Sequence, residues 1–164
     1  MRVAKFGGGC LRTHEDFINI ARILQEENHE PVAIVVSAIF GITDHLHNST
    51  KFALKSEGSI PLSVAQFQKR HLEILEQAII DPSIRNGIRK TIEEKIKKLE
   101  RLLYGVAYIS EVTDSVWALI LSQGERLSAT ILAGVLSDQG INAESLESDS
   151  IGLLTDCVFE NATV

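Results

Sequence analysis

The sequence predicts an α/β fold, with a mainly parallel sheet layered between helices, and three observations carry that prediction. Near the N-terminus "RVAKF" reads as a short buried strand that runs into three glycines and then a helix start. "PVAIVVSA" is a continuous apolar, β-branched run without alternation, the pattern of a parallel strand covered on both faces. Most of the remaining chain has helical periodicity.

At 164 residues the chain is one domain's worth, long enough to bury a core. Its 45% apolar and 23% charged residues are ordinary globular values and give no support for disorder, collagen or a coiled-coil rod. The longest apolar runs, "PVAIVVSAIF" and "VWALILS", are too short to span a bilayer, and the N-terminus lacks the zones of a signal peptide. A cytoplasmic location with no membrane partner is expected. Cys10 and Cys157 show no metal-ligand spacing, so both are expected as free thiols, with no metal ligands assigned. The formal charge of −6 argues against a nucleic-acid face. In the densest basic stretch, "IRKTIEEKIKKLERLL", Glu93, Glu94 and Glu100 are interleaved with the cations.

Taken in order, the glycines after "RVAKF" lead to a helix from about residue 14 to 27, with Thr13 as N-cap and Glu15 and Asp16 in the first turn, where negative charge suits the helix dipole. Phe17, Ile20, Ala21 and Leu24 share one face, which should pack on a sheet. "PVAIVVSA" completes a βαβ unit, and in the polar turn "FGITD" Thr43 or Asp44 starts the next helix. From about residue 62 to 109 two helical segments with charged outer faces are separated by a break at "DPS". "SVWALILSQGE" fits either a helix end or a short buried element. "RLSATILAGVLSDQG" is an amphipathic helix with Gly140 in the favoured C-terminal position, and "INAESLESD" and "IGLLTD" read as short strands or loops.

Three stretches could carry chemistry. Gly7, Gly8 and Gly9, between a strand and a helix, offer N–H groups to a phosphate, to which Lys5 would add a full charge. Neither common nucleotide fingerprint fits: Arg12 stands where G-x-G-x-x-G needs its last glycine, and there is no G-x-x-x-x-G-K-[ST]. Spacing alone does not choose between a phosphate cradle and a flexible turn beside a solvated lysine. In "VVSAIFGITDHL", Ser37, Gly41 and Thr43 lie at the carboxyl end of a parallel strand, where open α/β sheets place ligands, although helix capping is the simpler account. In "LSQGERLSA", Glu125 and Arg126 open a helix, as capping chemistry and a solvated ion pair or with Glu125 turned inward to a substrate ammonium. The five histidines form no constellation and are expected at the surface, and Trp117 is expected in the core.

Together and in order these stretches resemble the aspartokinases of the amino-acid-kinase superfamily. That family's first strand and loop usually read K-F-G-G-T-S, here "KFGGGC"; its second strand and turn read V-V-S-A-x-x-G-x-T-D-x-L, here "VVSAIFGITDHL"; its substrate loop reads S-x-G-E-x-x-S-A, here "SQGERLSA". "LLTD" and "FENATV" are similar to its I-x-T-D and F-G-x-A segments, with Glu160 in place of a glycine. The resemblance implies a three-layer, carbamate-kinase-like fold, left incomplete here, in which residues 1–164 are the N-terminal part of a catalytic domain with a helical insertion at about 62–109.

It further implies ATP-dependent phosphorylation of the side-chain carboxylate of L-aspartate, the first step toward lysine, threonine and methionine, with ATP and Mg2+ as cofactors. Lys5 would neutralise the transferring phosphoryl group, Gly7, Gly8 and Gly9 would admit the ATP phosphates, and Ser37 would line the same region. Thr43 and Glu125 would bind aspartate, Glu125 facing its ammonium. Two departures bear on this. Gly9 and Cys10 replace the family's Thr and Ser, removing one hydroxyl donor and softening another. A G-R-G-G-S-D segment, which supplies an arginine for the substrate carboxylate, is absent from the sequence. The 164 residues alone are therefore expected to lack kinase activity, and to form a homo-oligomer or pair with the missing half. A related kinase with another substrate, and a non-catalytic regulatory or assembly module, are the alternatives.

Overall fold

The computed structural model describes residues 2–26, 31–153, 155–156, 158–159 and 163. His29, Cys157 and Glu160 lie outside them, as do parts of "LLTD" and "FENATV". Two strands, β1 (Arg2–Phe6) and β2 (Val32–Val36), pair in parallel, with Lys5 opposite Val35 and Phe6 opposite Val36. The helix between them, α1 (His14–Glu26), completes the expected βαβ unit and buries Phe17, Ile20 and Ala21. Five more helices follow: α2 (Ile42–Ala53), α3 (Ile60–Ala78), α4 (Pro82–Ile109), α5 (Asp114–Leu121) and α6 (Gln123–Asp138).

The two strands are not covered on both faces among the described residues. Phe6, Ile34 and Val36 pack on the helical core. On the opposite face Val3 is 63% and Val35 48% exposed, with Lys5 exposed between them. The unalternated apolar run is the pattern of a doubly covered strand, and here the described elements supply one of those covers.

The helical break falls where "DPS" places it. Asp81 accepts hydrogen bonds from the N–H groups of Ser83 and Ile84, with Pro82 at the first helical position, where its missing N–H costs nothing. Asp138 at the end of α6 accepts from the N–H groups of Ile80 and Asp81, tying the break to the next layer. "SVWALILSQGE" resolves into α5, capped by Thr113, and a near-continuous entry into α6 through Ser122.

Helix α6, expected as an amphipathic helix, lies at the centre of the molecule. It buries Leu127, Ile131, Leu132, Val135 and Leu136. Ser128 and Thr130 can also be buried because their hydroxyls donate to the carbonyls of Gly124 and Arg126 one turn back. The helix ends as the sequence predicts. Gly140 takes φ +80°, its N–H donates to Ser137 and that of Ile141 to Leu136, so the last carbonyls are satisfied by a Schellman motif.

The histidines depart from a surface placement. His71 is fully buried, with Nδ1 donating to the Phe67 carbonyl at 2.7 Å and its ring 4.4 Å from that of Phe67. His45 is half-buried with Nε2 2.9 Å from the Ser63 carbonyl, and half-buried His47 sets its ring edge-on against Trp117. Trp117 itself is half-buried rather than fully in the core. His45 and His47 of α2 reach α3 and α5, contacts that spacing within one helix does not reveal.

Candidate functional site

Both parallel strands end at the same edge, and three segments meet there. After β1 the chain makes a tight 3-10 turn over Gly8–Cys10, in which the N–H of Cys10 donates to Gly7 and that of Leu11 to Gly8. After β2, the Ser37 N–H continues the ladder by donating to Phe6 at 3.0 Å, and the Phe40 N–H donates to Leu11 at 3.0 Å. The glycine turn and the β2–α2 turn are thus sewn together by backbone bonds at both ends.

Ala38 is the point of closest approach. A Cβ on Gly8 would stand 3.3 Å from the Ala38 carbonyl oxygen, and one on Gly124 only 2.7 Å from the Ala38 Cβ. Gly7 and Gly9 face open space, and the N–H groups of Gly8 and Gly9 have no partner among the described residues. Helix α2 starts at Ile42, one residue earlier than Thr43, because Gly41 serves as its N-cap with φ +82°. That left-handed conformation favours glycine. Thr43 and Asp44 are then free of a capping duty and sit in the first turn.

The predicted residues fall as follows. Ser37 is half-buried at the strand end, Thr43 is exposed in the first turn of α2, and Glu125 is half-buried in the first turn of α6. Their segments converge on Ala38. Lys5 stands at the same edge on the open face of the sheet, away from the helices. The side chains of Lys5, Thr43 and Glu125 have no hydrogen-bond or ion-pair partner among the described residues. Glu125 does not pair with its neighbour, because Arg126 bonds Glu147 instead. Cys10 is a free, exposed thiol beside the turn.

Supporting residues around this edge gave no signal in the sequence. The Arg12 guanidinium lies 4.6 Å from the centroid of the Phe40 ring, and Arg70 of α3 donates to the Arg12 carbonyl at 2.6 Å. Asp16 accepts from the N–H groups of Arg12 and Thr13 at 2.7 and 2.9 Å, so the carboxylate, not the Thr13 hydroxyl, secures the start of α1. The bond from Thr13, aided by that from Arg12, holds the Asp16 carboxyl below its usual range against a smaller opposing effect of burial.

The model of the amino acid kinase family matches residues 1–163. The chain belongs to the amino acid kinase family. Among its relatives is aspartokinase 1 of Arabidopsis thaliana, 28% identical over 99% of this chain and 28% of the relative. The aspartokinase of Schizosaccharomyces pombe is 29% identical over 91% of this chain and 30% of its own length, and that of Chlamydia pneumoniae 29% over 98% and 32%. The chain therefore spans about a third or less of these relatives. Within the family, the crystal structure of Escherichia coli aspartokinase III in complex with aspartate and ADP shares the fold, with a TM-score of 0.73 over 85% of this chain and 29% of that one at 21% identity. The amino-acid-kinase fold expected from the motifs is the fold observed. Among the described residues no helix is long and apolar enough to cross a membrane.

Proposed function

We propose that this chain is the N-terminal part of an aspartokinase catalytic domain whose complete enzyme transfers the γ-phosphoryl group of ATP to the side-chain carboxylate of L-aspartate. The observation that carries this reading is the convergence of the glycine turn, the β2–α2 turn and the first turn of α6 on Ala38, with Thr43 and Glu125 on those segments and Lys5 at the same strand edge unpartnered among the described residues. E. coli aspartokinase III, whose fold this chain shares, binds aspartate and ADP.

In the reaction a carboxylate oxygen of aspartate attacks the γ-phosphorus, the bond from that phosphorus to the bridging oxygen breaks, and ADP leaves with 4-phospho-L-aspartate. Little covalent work falls to the protein, so positioning and charge carry the catalysis. The free N–H groups of Gly8 and Gly9 suit phosphate oxygens, and Gly7 and Gly9 leave the approach clear of side chains. Lys5 supplies the charge that offsets the phosphoryl group, and Ser37 lines the floor. Thr43 and Glu125 hold aspartate, Glu125 against its ammonium. Mg2+ is taken to arrive on the ATP phosphates; among the described residues no group of three or more His, Cys, Asp or Glu is placed to hold a metal, so no protein ligand is assigned.

The open face of the sheet, with Val3 and Val35, is where the remainder of the kinase domain or a second copy would pack. The parent enzyme is placed in the cytoplasm, at the entry to lysine, threonine and methionine synthesis. Gly9 and exposed Cys10 in place of the family's hydroxyls favour a second reading, a regulatory or assembly module that has lost catalysis.

Isothermal titration of the folded chain with Mg-ATP and with aspartate, repeated on Lys5→Ala and Glu125→Ala, tests the first reading. Aspartate binding that Glu125→Ala abolishes is the expected result. Aspartate binding that survives this substitution overturns the assignment, and phosphorylation of aspartate by the 164 residues alone would sink the view that they form only part of the site.

A further inference from the structure

Helices α4, α5 and α6 line an open cavity of about 340 Å³ with Lys95, Lys98, Arg101, Arg126 and Glu147, together with Leu102, Leu119 and Gln123, and no residue of the glycine turn is among them. Four cations and one carboxylate meet here in a chain whose overall charge is −6. Helical spacing explains the first three: positions 95, 98 and 101 succeed one another at i, i+3 on α4, while Lys97 falls outside the lining. Arg126 arrives from α6, one residue after Glu125.

The cavity already receives an anion. Glu147, from the irregular segment after α6, places its carboxylate between Lys95 and Arg126 and bonds both, with the Lys95 side chain only 16% exposed and those of Arg126 and Glu147 29%. Lys98 and Arg101 have no carboxylate partner among the described residues. Among the lining residues one carboxylate answers four cations, with the charge of Asp149 also felt at Glu147, which leaves a net positive lining and two donors without a carboxylate partner among the described residues. Like charges so gathered repel one another, and a second or more highly charged anion relieves that repulsion.

We propose that this cavity is an anion-binding site for a phosphate-bearing small molecule, in which the phosphate engages Lys98 and Arg101 and competes with Glu147 for Arg126 and Lys95. Arginine and lysine suit phosphate as a bidentate fork and a point charge respectively. Leu102 and Leu119 offer an apolar wall to an organic substituent, and the volume lies within the range of small-molecule sites. Arg126 adjoins Glu125 in the first turn of α6, the element that carries the proposed aspartate contact.

Titration calorimetry of the folded chain with inorganic phosphate, diphosphate and phenyl phosphate at low salt tests the site. The expected result is binding that weakens at least tenfold in a Lys98→Ala, Arg101→Ala double variant, tightens severalfold in Glu147→Gln, and falls steeply with added salt. Both variants change exposed or half-exposed groups, and circular dichroism verifies that they fold. Phenyl phosphate binding more tightly than inorganic phosphate supports an organic phosphate leaning on the leucines; equal affinities support free phosphate in the same site. The proposal is overturned if no probe binds at millimolar concentration, or if binding persists in the double variant and is lost in Lys5→Ala, which would place the anion in the glycine turn.

Discussion

Gly124 in the first turn of α6 and Ala38 at the carboxyl end of β2 are packed with no room for a side chain between them. A Cβ on Gly124 would stand 2.7 Å from the Ala38 Cβ and 3.1 Å from Ile42 Cγ2. Neither neighbour is the free end of a flexible chain, so relief requires backbone movement. This contact sets how deeply α6 docks on the strand edge, and Glu125 is the next residue. Gly124→Ala is therefore expected to cost about 1–3 kcal/mol, read as a lower urea midpoint, and to weaken aspartate binding as Glu125 is pushed outward. Gly87, exposed inside α4 with nothing within 4 Å of its added Cβ, is the control. Gly87→Ala should instead stabilise by about 0.5–1 kcal/mol, since it only removes unfolded-state freedom.

Asp16 ties the start of α1 to the end of the glycine turn through the N–H groups of Arg12 and Thr13. Removing the carboxylate strips both donors of their partner next to a helix N-terminus. Asp16→Ala should destabilise by about 1 kcal/mol, in the range of lost N-terminal caps. Its folded pKa is lowered, so the contribution is complete above the ordinary carboxylate range and disappears as pH falls through the folded value. The urea midpoints of Asp16→Ala and the unaltered protein should accordingly converge on acidification; a constant difference at low pH would show that the charge is not what matters.

The βαβ unit, the helical break at Asp81 and the end of α6 at Gly140 were all legible because each rests on local physics: an apolar run, a cap with proline behind it, a glycine that tolerates positive φ. The site segments were legible as motifs, yet their meeting at Ala38 was not, because nothing in the linear sequence says that Gly8 and Gly124 approach the same residue. An incomplete domain is expected to expose apolar surface, but that the exposed face would be the one with Val3 and Val35 could not be read from the strands. An unalternated apolar strand states what it can tolerate on both faces, not which neighbours cover it. His71 failed for a related reason: the residues before it, Gln68, Lys69 and Arg70, are polar, but its own position falls on the face of α3 with Phe67, Ile74 and Leu75.

Burial of His71 has a consequence for acid stability. Loss of hydration pushes its pKa down to about 4 from the ordinary 6.5, assisted by the charges of Arg70 and His45 and only partly opposed by the bond to Phe67. Its Nε2 is buried without a partner among the described residues, a state compatible with a neutral ring and hostile to a charged one. Between pH 6.5 and 4 the unfolded chain binds a proton here that the folded chain does not, so stability falls as pH falls through that window. The loss between pH 7 and pH 5 should be about 2 kcal/mol from this group. His71→Leu removes the titrating ring along with the unsatisfied nitrogen. Urea unfolding of this variant should be nearly unchanged at pH 7 and should lack that part of the acid loss; an identical pH dependence would place the acid sensitivity elsewhere.

Lys5 separates what the fold needs from what the proposed chemistry needs. Its side chain is exposed and has no partner among the described residues at the end of β1, opposite Val35 on the open face of the sheet, so the folded chain has little use for its charge. Lys5→Ala should leave the free energy of unfolding within about 0.5 kcal/mol, as for other surface changes away from caps and packed contacts. Mg-ATP titrated into the same variant should bind at least tenfold more weakly, about 1.4 kcal/mol, because the glycine turn then faces the phosphates with N–H dipoles alone. Lys5→Arg keeps the charge and should recover part of that loss. A drop in stability matching the drop in affinity would mean that Lys5 acts by holding the strand, and equal ATP affinity in all three proteins would remove it from the site.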